Sequence, residues 1–347
     1  MADDSLFQTR LSFGDEAAGR VVLRGQDLFG LAEDYRYEAV ACILWDGVVA
    51  GGITADALGT ARTAVFERLG PYEPMMRGRS AAEGIRLLLA ACPTELAETP
   101  VGGVASVGVA AALAIRSGAA APWPAPDPTR GHAADLLALA TGEAPPERLA
   151  RAFERYCILM IDHGVSTSTY SARIAASTGA GVQGAMLAAL AVLQGPRHGG
   201  APALVLDQLD AVGDPGNVAT FVADRRAAGG RIMGFGSRAY RGEDLRGAMM
   251  RREWEAVGGS AGRRARAVEI EQAFVAALAE ATPGRGLKAN VEYYAALLLE
   301  ALGLPREGFT PMFAAARAAG WVAHVAEQRE SRRMLRPTSR YVGEDAY

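Results

Sequence analysis

The chain has 347 residues, half of them hydrophobic and 22% charged, with a formal net charge of −3. That length suits one large unit or two domains with a sizeable core. The balance of charge offers no overall electrostatic reason to expect nucleic acid or an anionic membrane as a partner.

In chain order, the opening MADDSLFQTR is acidic and polar, unlike a secretory signal, and the chain reads as cytoplasmic. Leu11, Phe13, Val21 and Leu23 alternate weakly around the turn GDEAAG, which predicts one small hairpin. Almost everything after it reads as helix. Apolar residues recur at helical spacing over 37–45, 81–91, 134–140 and 148–161. Ala267, Ile270, Phe274 and Ala277 put an apolar stripe on one face of a later helix. The most apolar stretch, residues 101–115, is short for a bilayer span and rich in Gly and Ala. The fold class is therefore mainly α.

Four segments interrupt the helices. Residues 121–131 are Pro-rich and predict a surface loop, while 195–202, 229–244 and 282–290 are Gly-rich. Loops of that kind on a helical scaffold are where chemistry is usually placed. Cys42, Cys92 and Cys157 are far apart and form no CxxC pair, which argues against a disulfide framework or a structural zinc site. All three lie in apolar helical surroundings and read as small hydrophobes. No metal site is expected.

Histidine is rare, with four in the chain. His163 follows the helical run YCILMID, His198 sits in a Gly- and Pro-rich loop, His324 lies in the helical run WVAHVAEQ, and His132 stands at a loop edge. A lone histidine is more often structural than functional. His198 is harder to dismiss, because the glycines around it suit close backbone approach to a ligand. Asn290 with Glu292 reads equally as an N-cap followed by a first-turn acid or as a held general base. Arg231, Arg238, Arg241 and Arg246 cluster around a Gly-x-Gly turn, and Arg317, Arg333, Arg336 and Arg340 cluster near the C-terminus. Solvated surface is the ordinary reading, yet Arg also binds carboxylates and phosphates bidentately. The residues alone support a helical enzyme for a polyanionic small molecule.

Five ordered motifs go further: DHGVSTST (162–169), GPRHGGA (195–201), MGFGSRAYRGEDLR (233–246), NVEYY (290–294) and FTPMFAAARAAGWVAHVAEQ (309–328). Together they resemble the citrate synthase family, within a similarity running from residue 19 to residue 343. The resemblance implies an obligate homodimer of two-domain helical subunits with a small N-terminal β-hairpin. Residues 1–197 plus 306–347 would form the large, dimerising domain, and 198–305 the small one. It implies joining of an acyl-CoA to a dicarboxylic 2-oxo acid, with a coenzyme A thioester as co-substrate and no covalently bound cofactor. The gap between the domains would close on substrate. Residues 102–114 are a candidate interface helix, since small side chains allow close approach.

Position by position, His198 matches the histidine that stabilises the enol oxygen and His163 the one that binds the keto acid. Arg246 and Arg317 match carboxylate-binding arginines, and Arg336 matches the one supplied across the dimer interface. Arg241, and less directly Arg285, match CoA-phosphate contacts beside the turn at Gly234 and Gly236. The departures are equally specific. Ser237 stands where the carbonyl-polarising histidine is expected, and Glu292 where the base is normally Asp. Arg197 replaces a small or apolar residue, Pro202 stands where Asn is common, and so does Ser166. A hydroxyl is shorter than an imidazole and carries no positive charge, so an acceptor other than, or in addition to, oxaloacetate is expected, with Arg197 a candidate for extra charge. Two further functions stay open at this point: acyl-CoA hydrolysis or citryl-type cleavage on the same site, and a non-catalytic regulatory protein that binds CoA or a dicarboxylate.

Overall fold

A computed structural model describes residues 8–15, 19–118, 121–196, 198–236, 244–258 and 261–344. Its N-terminal strands are β1 (Ser12–Asp15), β2 (Arg20–Leu23) and β3 (Gln26–Asp27), all antiparallel. The expected hairpin gains its third strand through Arg24 and Gly25. Both have positive φ, 50° and 80°, the backbone of a two-residue turn that matches strand twist. Leu11, Val21 and Leu23 point inward as expected, but Phe13 is 54% exposed. Ser12 is buried in its place, because its hydroxyl has a partner inside the protein and a benzyl group there would not.

The other regular elements among the described residues are helices. The first group is α1 (Leu28–Asp34), α2 (Tyr37–Trp45), α3 (Ala55–Leu69), α4 (Ala81–Ala91) and α5 (Thr94–Ala97). Then come α6 (Pro100–Gly118), α7 (His132–Thr141), α8 (Glu147–Met160), α9 (Thr167–Ser177) and α10 (Val182–Leu193). The last are α11 (Ala201–Val212), α12 (Val218–Ala227), α13 (Leu245–Val257), α14 (Ala261–Ala281), α15 (Val291–Ala301) and α16 (Phe309–Ser331). The predicted apolar stripes become α2, α4, α7, α8 and α14. Start signals explain several boundaries. Ser80 and Glu83 form a reciprocal capping box at α4, Thr54 caps α3, and Asn290 caps α15.

The core is organised around α6 and α16. Every residue of α6 from Gly102 to Ile115 is buried. Its glycines allow this: a methyl group on Gly103 would lie 2.8 Å from Val182 Cγ1, and one on Gly108 2.9 Å from Leu136 Cδ1. The helix expected at a subunit interface is therefore the centre of a single subunit, where neighbours on all sides leave it no polar face. At 19 residues it is long and apolar enough to cross a membrane, yet it is packed inside the protein. Cys92 and Cys157 are buried as expected, whereas Cys42 is exposed, on the outer face of α2.

An ion pair lies deep in this core. Arg62 of α3 and Asp135 of α7 are almost completely buried and meet at 2.8 Å. Removing one partner of such a pair strands the other charge away from water. Asp135→Ala should therefore lower unfolding free energy by about 3–5 kcal/mol, measured as a lower denaturant midpoint. Helices α11 to α15 pack chiefly on one another, with α13 also resting against α8.

Candidate active site

The loop after α8 carries Asp162 and His163. Ser166 closes it by capping α9, accepting a hydrogen bond from the Thr169 N–H. Helix α16 lies against this loop. Arg317 is fully buried there, its Nε donating to the Met160 carbonyl at 2.5 Å and its Nη1 lying 3.5 Å from Ser166 Oγ. The same guanidinium sits 5.3 Å from the ring centroid of Phe313. Phe313 in turn meets His198 edge-on at 6.2 Å.

His198 is held by the start of α9. The Ser168 backbone N–H donates to its Nε2 at 3.3 Å, and the Ser168 hydroxyl lies 2.9 Å from the same nitrogen. A backbone N–H can only donate, so Nε2 is the acceptor and the ring hydrogen is assigned to Nδ1. Burial, with the nearby charge of Arg317, lowers the His198 pKa to about 4. His163 is pushed well below its ordinary value by burial first, then by Arg317 and Arg246. The site thus presents two neutral imidazoles under the field of two guanidiniums, an arrangement suited to an incoming dianion. Arg246 is itself braced by Asp244, with Nε to Oδ1 at 3.0 Å and Nη2 to Oδ2 at 2.9 Å.

Glu292 stands in the first turn of α15, where Asn290 Oδ1 accepts its backbone N–H at 2.9 Å. Burial raises its carboxyl pKa, against the opposing pull of Arg231, Asn290 and Arg246, while Asp244 adds to the rise. The N-cap reading of Asn290 and the held-carboxylate reading of Glu292 thus describe one structure. A cavity of about 860 Å³ opens beside it, lined among others by Arg226, Arg231, Arg246, Arg285 and Glu292. One wall is the turn at Gly234 and Gly236, with φ of +79° and +73°. That turn is tied to residues 288–290: Gly236 N–H donates to the Lys288 carbonyl at 2.9 Å, and Asn290 Nδ2 donates to the Gly236 carbonyl at 2.7 Å. A side chain on Gly236 would also lie 2.9 Å from Leu287 Cδ2, so glycine is required there twice over.

Arg317, Arg246 and His198 all act electrostatically on His163, and Arg317 on His198, while Arg246 lines the cavity with Glu292, Arg285, Gly234 and Gly236. Ser237, Arg197 and Arg241 lie outside the described residues. Arg336 is exposed on a non-helical tail beyond α16, anchored by the Leu335 N–H donating to Ser177 Oγ at 3.0 Å. Sequence reasoning did not single out Ser168, Asp244 or Arg226 for the site, and it set His324 among ordinary helical residues. For Asp244 the available signal was its place two residues before Arg246. Ser168 fixes which nitrogen of His198 can donate. Ser168→Ala should lower turnover about tenfold by loosening that ring, a loss of about 1.4 kcal/mol in transition-state binding, with Tm nearly unchanged.

A family profile described as "Citrate synthase, C-terminal domain" matches residues 2–338. The chain belongs to the citrate synthase family. It is 33% identical to the citrate synthase of Haloferax volcanii over 97% of this chain and 93% of that one. It is 34% identical to the 2-methylcitrate synthase of Mycobacterium tuberculosis over 64% of this chain and 55% of that protein. The crystal structure of citrate synthase from Thermotoga maritima superimposes with a TM-score of 0.85, at 26% identity, covering 98% of this chain and 94% of that one. The citrate synthase of Thermoplasma acidophilum, solved with carboxymethyl coenzyme A and oxaloacetate, gives a TM-score of 0.87 at 24% identity, covering 99% and 96%; that likeness speaks to the fold. This citrate synthase family member is an enzyme that transfers acyl groups, on the all-α fold of that family.

Proposed function

We propose that the protein joins the methyl-side carbon of an acyl-CoA to the keto carbon of a dicarboxylic 2-oxo acid, with an acceptor other than, or in addition to, oxaloacetate. Arg246 supports this reading, because it lines the cavity with Glu292 and its charge bears on both Glu292 and His163, on which Arg317 and His198 also act. Glu292 removes the proton alpha to the thioester. The Nδ1–H of His198 donates to the thioester oxygen as it becomes an enol. Arg246, Arg317 and His163 hold the dicarboxylate while the new carbon–carbon bond forms and the keto oxygen takes up a proton. Hydrolysis of the condensed thioester releases CoA.

Coenzyme A would lie along the Gly234–Gly236 turn, with Arg285 and Arg241 on its phosphates and no covalently bound cofactor. Helices α11 to α15 would form the small domain, residues 198–305, over a large domain made of 1–197 and 306–347. The exposed, non-helical tail supports a homodimer in which Arg336 completes the partner's site. A thiol-release assay with acetyl-CoA and propionyl-CoA against a panel of 2-oxo acids tests the reading. Acceptor-dependent release is expected. Equal release without any acceptor would identify a hydrolase. Absence of CoA binding by calorimetry, with or without a dicarboxylate, would overturn both the synthase and hydrolase readings.

A further inference from the structure

A chain of buried polar groups begins one residue before His163. Asp162 is fully buried, and its Oδ2 accepts from the Ser12 hydroxyl at 2.6 Å and from His324 Nε2 at 3.1 Å. The other ring nitrogen of His324, Nδ1, lies 2.8 Å from Arg173 Nη1. A guanidinium only donates, so Nδ1 accepts and the ring hydrogen is assigned to Nε2, aimed at Asp162. Arg173 continues to Glu327 Oε2 at 2.5 Å and to Gln328 Oε1 at 3.0 Å. From the other side, the Gly164 N–H donates to Ser12 Oγ at 2.6 Å.

These contacts grip the loop residue by residue. Arg317 holds the Met160 carbonyl. Gly320 lies so close to the Ile161 carbonyl that a methyl group there would sit 2.2 Å from its oxygen. His324 and Ser12 hold Asp162, and Ser12 holds Gly164, whose φ of +91° suits glycine. Arg317, Gly320, His324 and Glu327 lie along one face of α16, three or four residues apart. His163 is the residue these clamps bracket. Burying Asp162, Arg173 and Glu327 together is poor economy for stability, because well-packed apolar side chains often do as well. What such a network supplies is one fixed geometry.

We propose that His324, Asp162 and Ser12 are positioning residues that hold the His163 imidazole in register with Arg317, two helical turns away from His324, so that both face one bound dicarboxylate. The proposal rests on the reading of His163 as a dicarboxylate-binding residue. A 1 Å misplacement at such a site costs up to about 10²-fold, so the loop must be held from more than one side. Helix α16 and the N-terminal sheet are the two sides.

Calorimetry with oxaloacetate and with CoA, and ¹⁵N NMR of the four histidine rings, test it on the full-length protein. Ser12→Ala removes no charge and leaves the residues of α16 unaltered. It should weaken oxaloacetate binding about tenfold, leave CoA affinity within about twofold, and move the His163 ring signals while those of His132 stay in place. His324→Leu should do the same more strongly. His324→Gln, whose amide can both accept from Arg173 and donate to Asp162, should restore most of the affinity. Unmoved His163 signals in Ser12→Ala and His324→Leu would overturn the proposal. So would parallel loss of oxaloacetate and CoA affinity with a fallen Tm, or an absence of rescue by Gln. His163→Gln judges the underlying reading separately. If it leaves oxaloacetate binding intact, the dicarboxylate role of His163 falls, while the ring signals still decide whether the network positions that ring.

Discussion

Glu292→Gln should slow exchange of the acyl-CoA α-protons with solvent by about 10²–10⁴-fold, the range that a positioned general base supplies. The amide keeps the shape of the side chain and its place in the first turn of α15, but it cannot take a proton. CoA affinity should therefore change little. The same carboxylate should set the acid limb of kcat/KM. Its pKa is raised by burial, so the ionised base accumulates only above the ordinary glutamate range, and activity should fall as pH drops through that raised value. His198 should add no limb near 6.5, since burial and Arg317 bring it to about 4 and it is already neutral across that interval. Proton exchange followed by NMR in deuterated buffer, over a pH series, measures both. Undiminished exchange in Glu292→Gln would remove Glu292 from the mechanism.

Condensation of acetyl-CoA with oxaloacetate should be slower than enolisation requires, by about 10²–10³-fold, because Ser237 stands where the family resemblance expects an imidazole. The methyl proton needs only Glu292 and His198. Carbon–carbon bond formation also places negative charge on the keto oxygen, and a short neutral hydroxyl meets that charge poorly. Proton exchange should accordingly be impaired much less than citrate formation. Ser237→His should raise citrate formation, incompletely while Glu292 stands in place of Asp. A different 2-oxo acid, carrying an anionic group to match the added positive charge of Arg197 or Arg238, should be the better acceptor for the unmodified protein. Citrate formation by the unmodified protein at an ordinary ~10 s⁻¹ would show that the serine or a neighbouring arginine is a sufficient electrophile.

The residue sequence by itself determined the helical class and the positions of several helices, and it proposed which groups make up the site. Helical periodicity is written locally in α2, α4, α7, α8 and α14, and the ordered motifs name His163, His198, Arg246, Glu292 and Arg317 without coordinates. Periodicity does not say what covers a helix that has no polar face. A run such as 102–115 has the same pattern at a subunit interface, in a membrane or at the centre of a core, and only its packing against α4, α7, α10 and α16 decided between them. Nor could alternation in β1 show that Ser12 rather than Phe13 turns inward. Its partner is Asp162, 150 residues away, and the partner of Asp162 on α16 lies a further 162 residues on. The role of a polar side chain inside a protein is set by which donor or acceptor meets it, and at those separations the meeting is made by the fold.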